Sequence, residues 1–460
     1  MGSRKRIGGS KVNFVEKERS NIMPSVACYA EQLKNKIASH DAHVCIVGLG
    51  YVGLPLAIAF AKKGFIVTGF DTNPAHIERL KKGDRYIVDA DPAEAHALMR
   101  KKLFIPSGDP RVIHDNDVII ICVPTPLRKV KTPDISYVVH AAHTIKKYLR
   151  PGHLIILEST SYPTTTREVV LPILQETGLS TESDFFLCFS PERVNPADKN
   201  FPLTKIPKVV GGLTPQSTEL ARLLYSRIIK KVFCVSSPEI AETAKLLENT
   251  FRLVNIALVN EYALICHAMG IDIWEVIKAA KTKPFGFMPF YPGPGLGGHC
   301  IPVDPLFLSW KAKKLGFQTK MIDLASHVNR YMPHFVARRT EEIIASRGGS
   351  IKKARILIVG VTYKKDVKDL RESPALDVIH ILQQKGARVA FHDPLIPYLK
   401  IGGINLKTVP LNKKNIESFD CVVLITDHSG VNYMFVQKSA RVIFDTRNVY
   451  KAKHKNVISL

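Results

Sequence analysis

The chain contains 460 residues, of which 45% are hydrophobic, and carries a formal net charge of +24. This length exceeds what one hydrophobic core usually serves, so two or three domains are expected. No apolar run reaches the roughly 18–20 residues of a membrane span. The basic start, residues 1–6, lacks the apolar segment of a secretory signal, so we expect a cytoplasmic protein without a membrane span.

The surplus of positive charge suits an anionic small substrate, nucleic acid, or a basic surface that keeps the protein soluble. Lysine and arginine are spread along the chain, apart from one short tract at residues 4–6, and no aromatic-interleaved RNA-binding signature is seen. A basic, non-catalytic nucleic-acid-binding protein is therefore kept only as an alternative. The eight cysteines form no CxxC pair and have no histidine at zinc-like spacing, which indicates reduced thiols and no metal site.

The first chemical pattern is a glycine-rich turn between a strand and a helix. An apolar strand at Val44–Val47 runs into a GxGxxG turn at residues 48–53, followed by an apolar helix at residues 54–63. A second strand, residues 65–70, stops at Asp71. This order of elements within about 30 residues is typical of a dinucleotide-binding unit.

Each glycine of that turn has its own physical reason. Gly48 permits the tight turn, Gly50 lets the backbone approach a pyrophosphate, and Gly53 allows close packing of helix on strand. Asp71 would accept hydrogen bonds from the adenosine ribose and repel a 2′-phosphate. The unit therefore predicts NAD as the cofactor rather than NADP.

Three more predicted strands, residues 118–123, 154–157 and 185–189, are each followed by polar residues. In a parallel sheet these strand ends meet at the edge where ligands bind. Thr160 and Glu192 are the two side chains that we expect near the chemistry. Each residue on its own is more often a cap or turn residue.

A helical block follows, and its first helix is predicted at residues 239–269. Lys245, Asn249 and Arg252 fall on one face of this helix. The usual explanation of such a face is a solvated polar stripe. A helical block between two α/β units often supplies a subunit interface, so we expect a homodimer or a higher homo-oligomer.

A loop at residues 285–304 is rich in glycine and proline and carries Cys300, four residues before Asp304. Its glycines would let the backbone approach a ligand, and its prolines would stiffen it. A rigid loop that presents a thiol near a carboxylate suits covalent catalysis. The alternative is a tight turn with an incidental buried cysteine.

The α/β pattern returns at Lys352, with predicted strands at residues 355–360 and 388–393 around a helix at residues 373–385. This unit lacks GxGxxG, so it would bind a nucleotide differently or not at all. The predicted fold is therefore α/β, with two Rossmann-like doubly wound domains joined by a central helical dimerisation region. The predicted parts are an N-terminal extension (1–40, partly disordered, with a helix near 25–38), an NAD-binding domain (41–236), a helical domain (237–347) and a second Rossmann-like domain (348–460).

Together these motifs resemble the UDP-glucose/GDP-mannose dehydrogenase family, and within it the bacterial UDP-N-acetylglucosamine 6-dehydrogenase branch. The resemblance spans about residues 43–450. It is carried in order by residues 47–55, 158–160, 190–196, 244–250, 292–300 and 371–374. It implies a UDP-sugar substrate bound by the C-terminal domain, and a role in polysaccharide biosynthesis. The implied reaction oxidises C6 of the sugar from alcohol to carboxylate with two NAD per turnover.

The resemblance also implies a covalent mechanism. The Cys300 thiolate would add to the aldehyde from the first oxidation, and a second oxidation would give a thioester that water hydrolyses. Lys245 would stabilise the oxyanion at C6 and would depress the pKa of Cys300. Asn249 would share the oxyanion role or anchor the water, and Asp304 would act as base, directly or through water.

Two further catalytic roles are implied, since Glu192 would assist thioester hydrolysis and Thr160 would position a water. Lys364 and Arg447 suit the diphosphate of the substrate. Cofactor contacts are expected from Gly48, Gly50, Tyr51, Val52, Gly53, Asp71, Thr125, Thr160 and Arg371. Substrate contacts are expected from Arg193, Val194, Asn195, Lys245, Asn249, Arg252, Tyr291, Gly293, Gly295, Lys364 and Arg447.

Three residues depart from the family pattern. Thr164 and Ala197 stand where relatives usually have glycine, and Pro196 stands where the UDP-glucose branch usually has a second glutamate. Pro196 favours an N-acetylated sugar, with UDP-N-acetylglucosamine as the first choice. UDP-glucose, UDP-N-acetylmannosamine and UDP-N-acetylgalactosamine enzymes stay open as alternatives, as does a two-electron hydroxyacid dehydrogenase, which would not need Cys300.

Overall fold

The computed structural model describes residues 26–84, 87, 90–128, 130–181, 183–195 and 201–460. Residues 1–25 of the predicted N-terminal extension lie outside these ranges, as do Pro196 and Ala197. The helix expected near residues 25–38 is α1 (Val26–Ser39). Among the described residues, no helix is both long enough and apolar enough to span a bilayer.

The first sheet has eight strands in the order β3-β2-β1-β4-β5-β6-β7-β8. They are β1 (Val44–Val47), β2 (Val67–Phe70), β3 (Phe104–Ser107), β4 (Val118–Ile121), β5 (Leu154–Leu157), β6 (Phe186–Phe189), β7 (Lys208–Gly212) and β8 (Val232–Val235). Adjacent strands are parallel, except that β7 runs antiparallel to β6. The strand order reverses at β1, which places a ligand crevice at the carboxyl ends of β1 and β4.

Helices cover this sheet, and its central strands are buried on both faces, as their continuous apolar runs predict. The helices are α2 (Gly53–Lys62), α3 (Pro74–Lys82), α4 (Pro92–Arg100), α5 (Ser136–Lys146), α6 (Leu171–Gln175) and α7 (Pro215–Ser226). One core lies on each side of the sheet, one built with α2 and α7 and the other with α5 and α6.

The central block consists of α8 (Pro238–Met269), α9 (Ile273–Ala280), α10 (Asp304–Lys314) and α11 (Lys320–Ala345). Ser237 caps the start of α8, and Gly270, with φ of 69°, ends it. A buried bond of 2.9 Å from Asn260 Nδ2 to Asn329 Oδ1 joins α8 to α11. Helix α10 begins at Asp304, which therefore belongs to its first turn.

The second sheet is parallel, with the order β10-β9-β13-β14-β15, and a separate hairpin pairs β11 with β12. Its elements are β9 (Arg355–Val359), α12 (Pro374–Gln384), β10 (Arg388–His392), β11 (Tyr398–Ile401), β12 (Ile404–Lys407), α13 (Lys413–Glu417), β13 (Cys421–Leu424), α14 (Tyr433–Ser439), β14 (Ile443–Asp445) and β15 (Val457–Ser459). The predicted α/β class, with two such units around a helical block, is confirmed. The sequence analysis missed β3, β7, β8, the hairpin and β15.

Candidate active site

A cavity of about 2360 Å³ is lined by residues from both sheets and from the central helices. It collects many of the residues proposed from sequence. These are Gly48, Gly50, Tyr51, Val52, Asp71, Thr125, Thr160, Glu192, Val194, Asn195, Lys245, Cys300, Asp304, Lys364 and Arg371. The proposed residues outside its lining are Gly53, Arg193, Asn249, Arg252, Tyr291, Gly293, Gly295 and Arg447.

The glycine turn after β1 fits the predicted division of roles. A Cβ on Gly48, whose φ is +97°, would lie 2.7 Å from the carbonyl oxygen of Cys122. A Cβ on Gly53 would lie 1.8 Å from the carbonyl oxygen of Gly48. A Cβ on Gly50 would have no atom within 4 Å, because that position faces the cavity. Two glycines are therefore required by packing, and the third leaves room for a ligand.

Asp71 ends β2 at the cavity and holds the same turn. Its Oδ2 accepts a bond of 2.8 Å from the Leu49 N–H, and its Oδ1 accepts one of 2.8 Å from Asn73. His76 Nδ1, on α3, lies 3.1 Å from Asp71 Oδ2. These contacts fix the carboxylate at the edge of the cavity, where it suits a ribose. His76 was missed from sequence, since its link to Asp71 depends on the start of α3.

Cys300 lies half-buried just before α10, and its carbonyl oxygen accepts from the N–H of Asp304 at 2.8 Å. Burial and, after it, the Asp304 carboxylate raise the pKa of the Cys300 thiol to about 11. Lys245 and Arg371 act in the opposite direction. Lys245 therefore lowers the pKa of Cys300 as expected, but burial and the neighbouring carboxylate outweigh the ammonium group and the net shift is upward.

Helix α8 brings two more of the proposed residues against Asp304 and Glu192. Asn249 Nδ2 donates to Asp304 Oδ2 at 2.6 Å, and Lys245 Nζ donates to the carbonyl oxygen of Glu192. Burial raises the pKa of Asp304 to about 6, against the opposing effects of Lys245 and Asn249. The helical face is thus not a solvated stripe at these two positions. Arg252, one turn further, is exposed.

Two glutamates and a lysine form a polar group at the ends of β5 and β6. Lys208 Nζ lies 3.0 Å from Glu158 Oε2 and 3.5 Å from Glu192 Oε2. Both glutamates line the cavity. Lys208 is the first residue of β7, and it reaches this edge because β7 runs antiparallel to β6. Sequence reasoning missed Lys208 and did not select Glu158, since β7 itself was not predicted.

The glycines of the cysteine loop make room for the C-terminal unit rather than for a ligand. A Cβ on Gly297 would lie 2.6 Å from Tyr363 Cβ, and a Cβ on Gly298 would lie 2.7 Å from the Tyr363 ring. A Cβ on Gly295 would lie 3.0 Å from Pro374 Cβ. The expectation that these glycines admit a ligand is therefore corrected, since protein atoms already fill the space.

Of the two residues expected at the diphosphate, Lys364 lies at the cavity and Arg447 does not. Lys364 lines the cavity, and its Nζ donates to Asn195 Oδ1 at 2.8 Å, across the two sheets. Arg447 donates from Nε to the Ile425 carbonyl oxygen at 2.7 Å. Its Nη1 lies 2.7 Å from where a Cβ on Gly293 would stand. In this arrangement Arg447 packs against the cysteine loop and not against the cavity.

Other proposed binding residues already have protein partners. Arg193 forms a 2.6 Å ion pair with Glu248, and the Tyr291 ring stacks on Trp274 at 6.4 Å. The Arg371 guanidinium lies 5.0 Å above the Tyr51 ring, so it reaches the glycine turn as expected. Arg371 therefore links the C-terminal unit to the first sheet within the cavity.

His299 is a cavity residue that sequence reasoning passed over. Burial lowers the pKa of His299 to about 4, and the Arg371 charge acts in the same direction. The ring is therefore neutral at physiological pH beside Cys300. Its position next to the cysteine was the signal that could have drawn attention to it. Among the described residues no group of three or more His, Cys, Asp or Glu side chains could hold a metal ion.

The cavity can thus accommodate covalent redox chemistry on an anionic substrate. It combines a thiol, a buried carboxylate with a raised pKa, an ammonium group and an open dinucleotide turn. These are the groups that a nucleophile, a base, an oxyanion partner and a cofactor cradle require. The residues at the turn fit NAD, because Gly50 leaves space and Asp71 lies at the end of the second strand.

Comparisons with known proteins agree with this geometry. A UDP-N-acetyl-D-glucosamine 6-dehydrogenase of Pseudomonas aeruginosa is 37% identical over 415 residues, 88% of this chain and 97% of the relative. A relative of the same name in Salmonella typhi is 33% identical over 426 residues, 91% of this chain and 98% of the relative. The solved structure of a UDP-D-ManNAc dehydrogenase from Pyrococcus horikoshii superposes with a TM-score of 0.83 at 32% identity, covering 91% of this chain and 98% of that one.

Three family models match the chain in order. They describe the NAD binding domain of the UDP-glucose/GDP-mannose dehydrogenase family at residues 42–229, its central domain at residues 239–331 and its UDP binding domain at residues 357–452. The nucleic-acid-binding alternative finds no support among these matches. The chain belongs to the UDP-glucose/GDP-mannose dehydrogenase family and is an NAD-dependent UDP-sugar dehydrogenase.

Proposed function

We propose that this enzyme oxidises C6 of UDP-N-acetylglucosamine from alcohol to carboxylate through a covalent intermediate on Cys300. The observation that carries the proposal is the cavity that holds Cys300, Asp304 and Lys245 together with the glycine turn. A dehydrogenase that removed only two electrons would not need a thiol there.

Asp304 is the base of the proposed mechanism. With a pKa of about 6 it is ionised at neutral pH and can take the proton of the C6 hydroxyl. Cys300, with a pKa of about 11, keeps its proton until the sulfur attacks the aldehyde carbon. That proton then passes to the aldehyde oxygen, with Asp304 as the carrier, and a thiohemiacetal results. The covalent bond keeps the half-oxidised sugar in the site.

Lys245 stabilises the oxygen charge that develops at C6 in each oxidation. Its ammonium group is held by the Glu192 carbonyl oxygen, so it needs little reorganisation. The glycine turn would hold NAD, which would supply the hydride acceptor for each oxidation. In the second oxidation the thiohemiacetal hydroxyl gives its proton to Asp304, which has passed the proton of the first oxidation to solvent, and a thioester results. Water then cleaves the thioester with Glu192 as base. The carboxylate leaves, and the Cys300 thiol is restored.

For the nucleotide sugar, the supporting contacts are those of Lys364 and Asn195. They come from different sheets and meet at the cavity. A diphosphate between the sheets would be attracted to Lys364 as a point charge. Arg447 would have to leave the cysteine loop to share that task.

The choice of UDP-N-acetylglucosamine is supported by Pro196, which lies outside the described residues, and by the names of two relatives. Another relative, from Pyrococcus horikoshii, is named a UDP-N-acetyl-D-mannosamine dehydrogenase and is 35% identical over 415 residues. UDP-N-acetylmannosamine is therefore the second candidate. A cytoplasmic location stays a prediction.

We also propose that two copies pair through α8. Six large side chains on one face of this helix are 46–66% exposed in the single chain, at spacings of three, four and seven residues. They are Leu247, Phe251, Leu258, Tyr262, Ile265 and Met269. A second copy would cover such a continuous apolar stripe. Leu258→Glu should yield monomers by light scattering, and a dimer of unchanged mass would contradict the proposal.

A substrate panel tests the function. Purified enzyme with excess NAD is given each UDP-sugar in turn, and NADH absorbance and product mass are recorded. Two NADH per molecule of UDP-N-acetylglucosamine and a uronic acid product are expected. Cys300→Ser should lose uronic acid formation at least a hundredfold, whereas Cys266→Ser, on α8 outside the cavity lining, should retain it. One NADH per sugar would reject the mechanism. A kcat/KM higher with UDP-N-acetylmannosamine than with UDP-N-acetylglucosamine would show that UDP-N-acetylmannosamine is the preferred substrate.

A further inference from the structure

A lysine joins the two carboxylates that end neighbouring strands of the first sheet. Lys208 is 3% exposed, and its Nζ lies within 3.5 Å of Glu158 and of Glu192. Both glutamates line the cavity, whereas Lys208 lies behind them. One ammonium group therefore ties together two acids in the cavity wall.

The pairing of β6 with β7 brings these residues near each other. In the antiparallel pairing of β6 with β7, Cys188 lies opposite Gly212, and Phe189 lies opposite Gly211. Continued outward, the same register sets residue 192 against residue 208. The lysine is thus aimed at Glu192 by the backbone, and a neighbouring strand end supplies Glu158.

Three further groups lie near the lysine. The Tyr225 hydroxyl, on α7, donates to Glu158, and the Lys208 ammonium lies 5.1 Å from the Tyr225 ring centroid. The thiol of Cys122, at the end of β4, is buried nearby. Although burial opposes its charge, the two carboxylates together raise the pKa of Lys208. The lysine is therefore charged when both acids are ionised.

The groups around Glu192 hold its main chain and one carboxylate oxygen. Glu192 Oε1 accepts from the N–H groups of Arg193 and Val194, and the carbonyl oxygen accepts from Lys245. The Arg193 side chain is turned to Glu248 instead. Of these contacts, Lys208 is the cation on the second carboxylate oxygen, Oε2.

We propose that Lys208 is a positioning residue, which keeps Glu192 ionised and oriented for the hydrolytic step of the reaction. The inference rests on the proposed function. In that step water attacks the thioester carbon and gives its proton to Glu192. The carbon–sulfur bond breaks, and its electron pair goes to the sulfur of Cys300. Lys208 touches none of the reacting atoms and acts through Glu192.

Charge alone predicts opposite effects for two substitutions. Without the ammonium group, two carboxylates share a buried place, and repulsion favours a proton on one of them. Burial raises the pKa of Glu158, so this carboxylate takes part of that proton. The share that falls on Glu192 stops it from taking a proton from water, so hydrolysis would need a higher pH. Glu158→Gln removes the competing carboxylate, so the Lys208 ammonium group would pair with Glu192 alone. This pairing favours the ionised form of Glu192 and therefore hydrolysis at lower pH.

The test is the pH dependence of the hydrolytic step, measured with the full chain, NAD and UDP-N-acetylglucosamine as the decay rate of the sugar adduct on Cys300. Lys208→Met should move the acidic limb of this decay rate to higher pH by at least about one pH unit, a tenfold change in proton affinity. Mass spectrometry of the intact protein in turnover should show a sugar adduct on Cys300, and KM for the sugar should change less than twofold. Glu158→Gln should move the limb to lower pH, and Lys208→Arg should restore the wild-type limb.

Tyr225→Phe is the matched control, because it removes a hydrogen bond to Glu158 and leaves every charge in place. Its acidic limb should match that of the wild type. If Lys208→Met does not fold, Glu158→Gln decides the question by the direction of its shift. Unmoved limbs in the charge variants of an otherwise active enzyme overturn this role alone. A wild-type enzyme that forms no uronic acid overturns the proposed function and this role with it.

Discussion

The two sheets contain the same backbone turn in different surroundings. After β1, the N–H of Gly48 donates to the Phe70 carbonyl oxygen at 2.8 Å. After β9, the N–H of Gly360 donates to the His392 carbonyl oxygen at 2.9 Å. Both glycines have positive φ, +97° and +82°. In each case the next residue donates its N–H to an aspartate that follows the neighbouring strand.

Those aspartates show where the two units differ. Asp71 accepts from Leu49 at 2.8 Å and lines the cavity. Asp393 accepts from Val361 at 2.7 Å, but it is 3% exposed, and His428 Nε2 lies 3.1 Å from it. The same turn thus leaves one acid available to a ribose and encloses the other within the protein.

The third position of the turn differs in the same way. A Cβ on Gly50 would point into open space, whereas Thr362, two residues after Gly360, is fully buried. The backbone hydrogen bonds alone therefore do not make a dinucleotide site. Whether the turn forms a dinucleotide site depends on whether the aspartate and the third residue of the turn reach the cavity.

The largest expected effect is on the turn without the cofactor motif. Gly360→Ala should lower the free energy of unfolding by more than about 3 kcal/mol, because its Cβ would lie 2.1 Å from the Thr426 carbonyl oxygen at positive φ. Urea denaturation measures the loss. Gly50→Ala is the control, with a stability change within about 0.5 kcal/mol and a KM for NAD about tenfold higher. Equal stability of the two variants would contradict the comparison.

The two aspartates should separate binding from stability. Asp71→Asn should raise the KM for NAD about tenfold, because the ribose loses a charged acceptor. It should also reduce the preference for NAD over NADP, because the 2′-phosphate is no longer repelled. Asp393→Asn should leave the KM for NAD unchanged and cost about 1–3 kcal/mol of stability, since its bonds to Val361 and His428 lose a charge. Initial rates with both cofactors and urea denaturation measure these effects. A changed KM for NAD in Asp393→Asn would contradict the distinction between a binding role for Asp71 and a structural role for Asp393.

The parts of the molecule that the sequence predicted are those encoded by short segments. The turn at Gly48, the acid at Asp71 and the face of α8 with Lys245 and Asn249 all follow from local periodicity and spacing. The second sheet was expected from its apolar runs, and its lack of GxGxxG correctly set it apart from the first.

What the sequence could not predict depends on contacts between distant residues. Lys208 becomes a neighbour of Glu192 only because β7 runs antiparallel, and no local pattern indicates strand direction. Gly297 faces Tyr363, more than sixty positions along the chain, so its role could not be read from its own loop. The raised pKa of Cys300 comes first from burial, which is a property of the folded chain.

A third, smaller difference between the units is expected in acid. Although burial opposes it, His428 and the N–H groups of Val361 and Leu395 lower the pKa of Asp393. Its contribution to stability is therefore present above the unfolded value of about 3.9 and is lost as the pH falls through the lower folded value. The melting temperature of the wild type should fall more steeply from pH 5 to pH 3 than that of Asp393→Asn. Parallel curves would show that this carboxylate does not contribute.

The smallest effect concerns strain in the first unit, at a residue outside the shared turn. Thr164 has a φ of +82°, which is rare for a β-branched residue, and its N–H donates to Glu242. Thr164→Gly should raise the free energy of unfolding by about 0.5–1 kcal/mol, the relief of strain less the added chain entropy. Thr165, with φ of −58°, is the control, and Thr165→Gly should be destabilising. Urea denaturation measures both changes in the free energy of unfolding. If the two variants change it in the same direction, the strain assigned to Thr164 is contradicted.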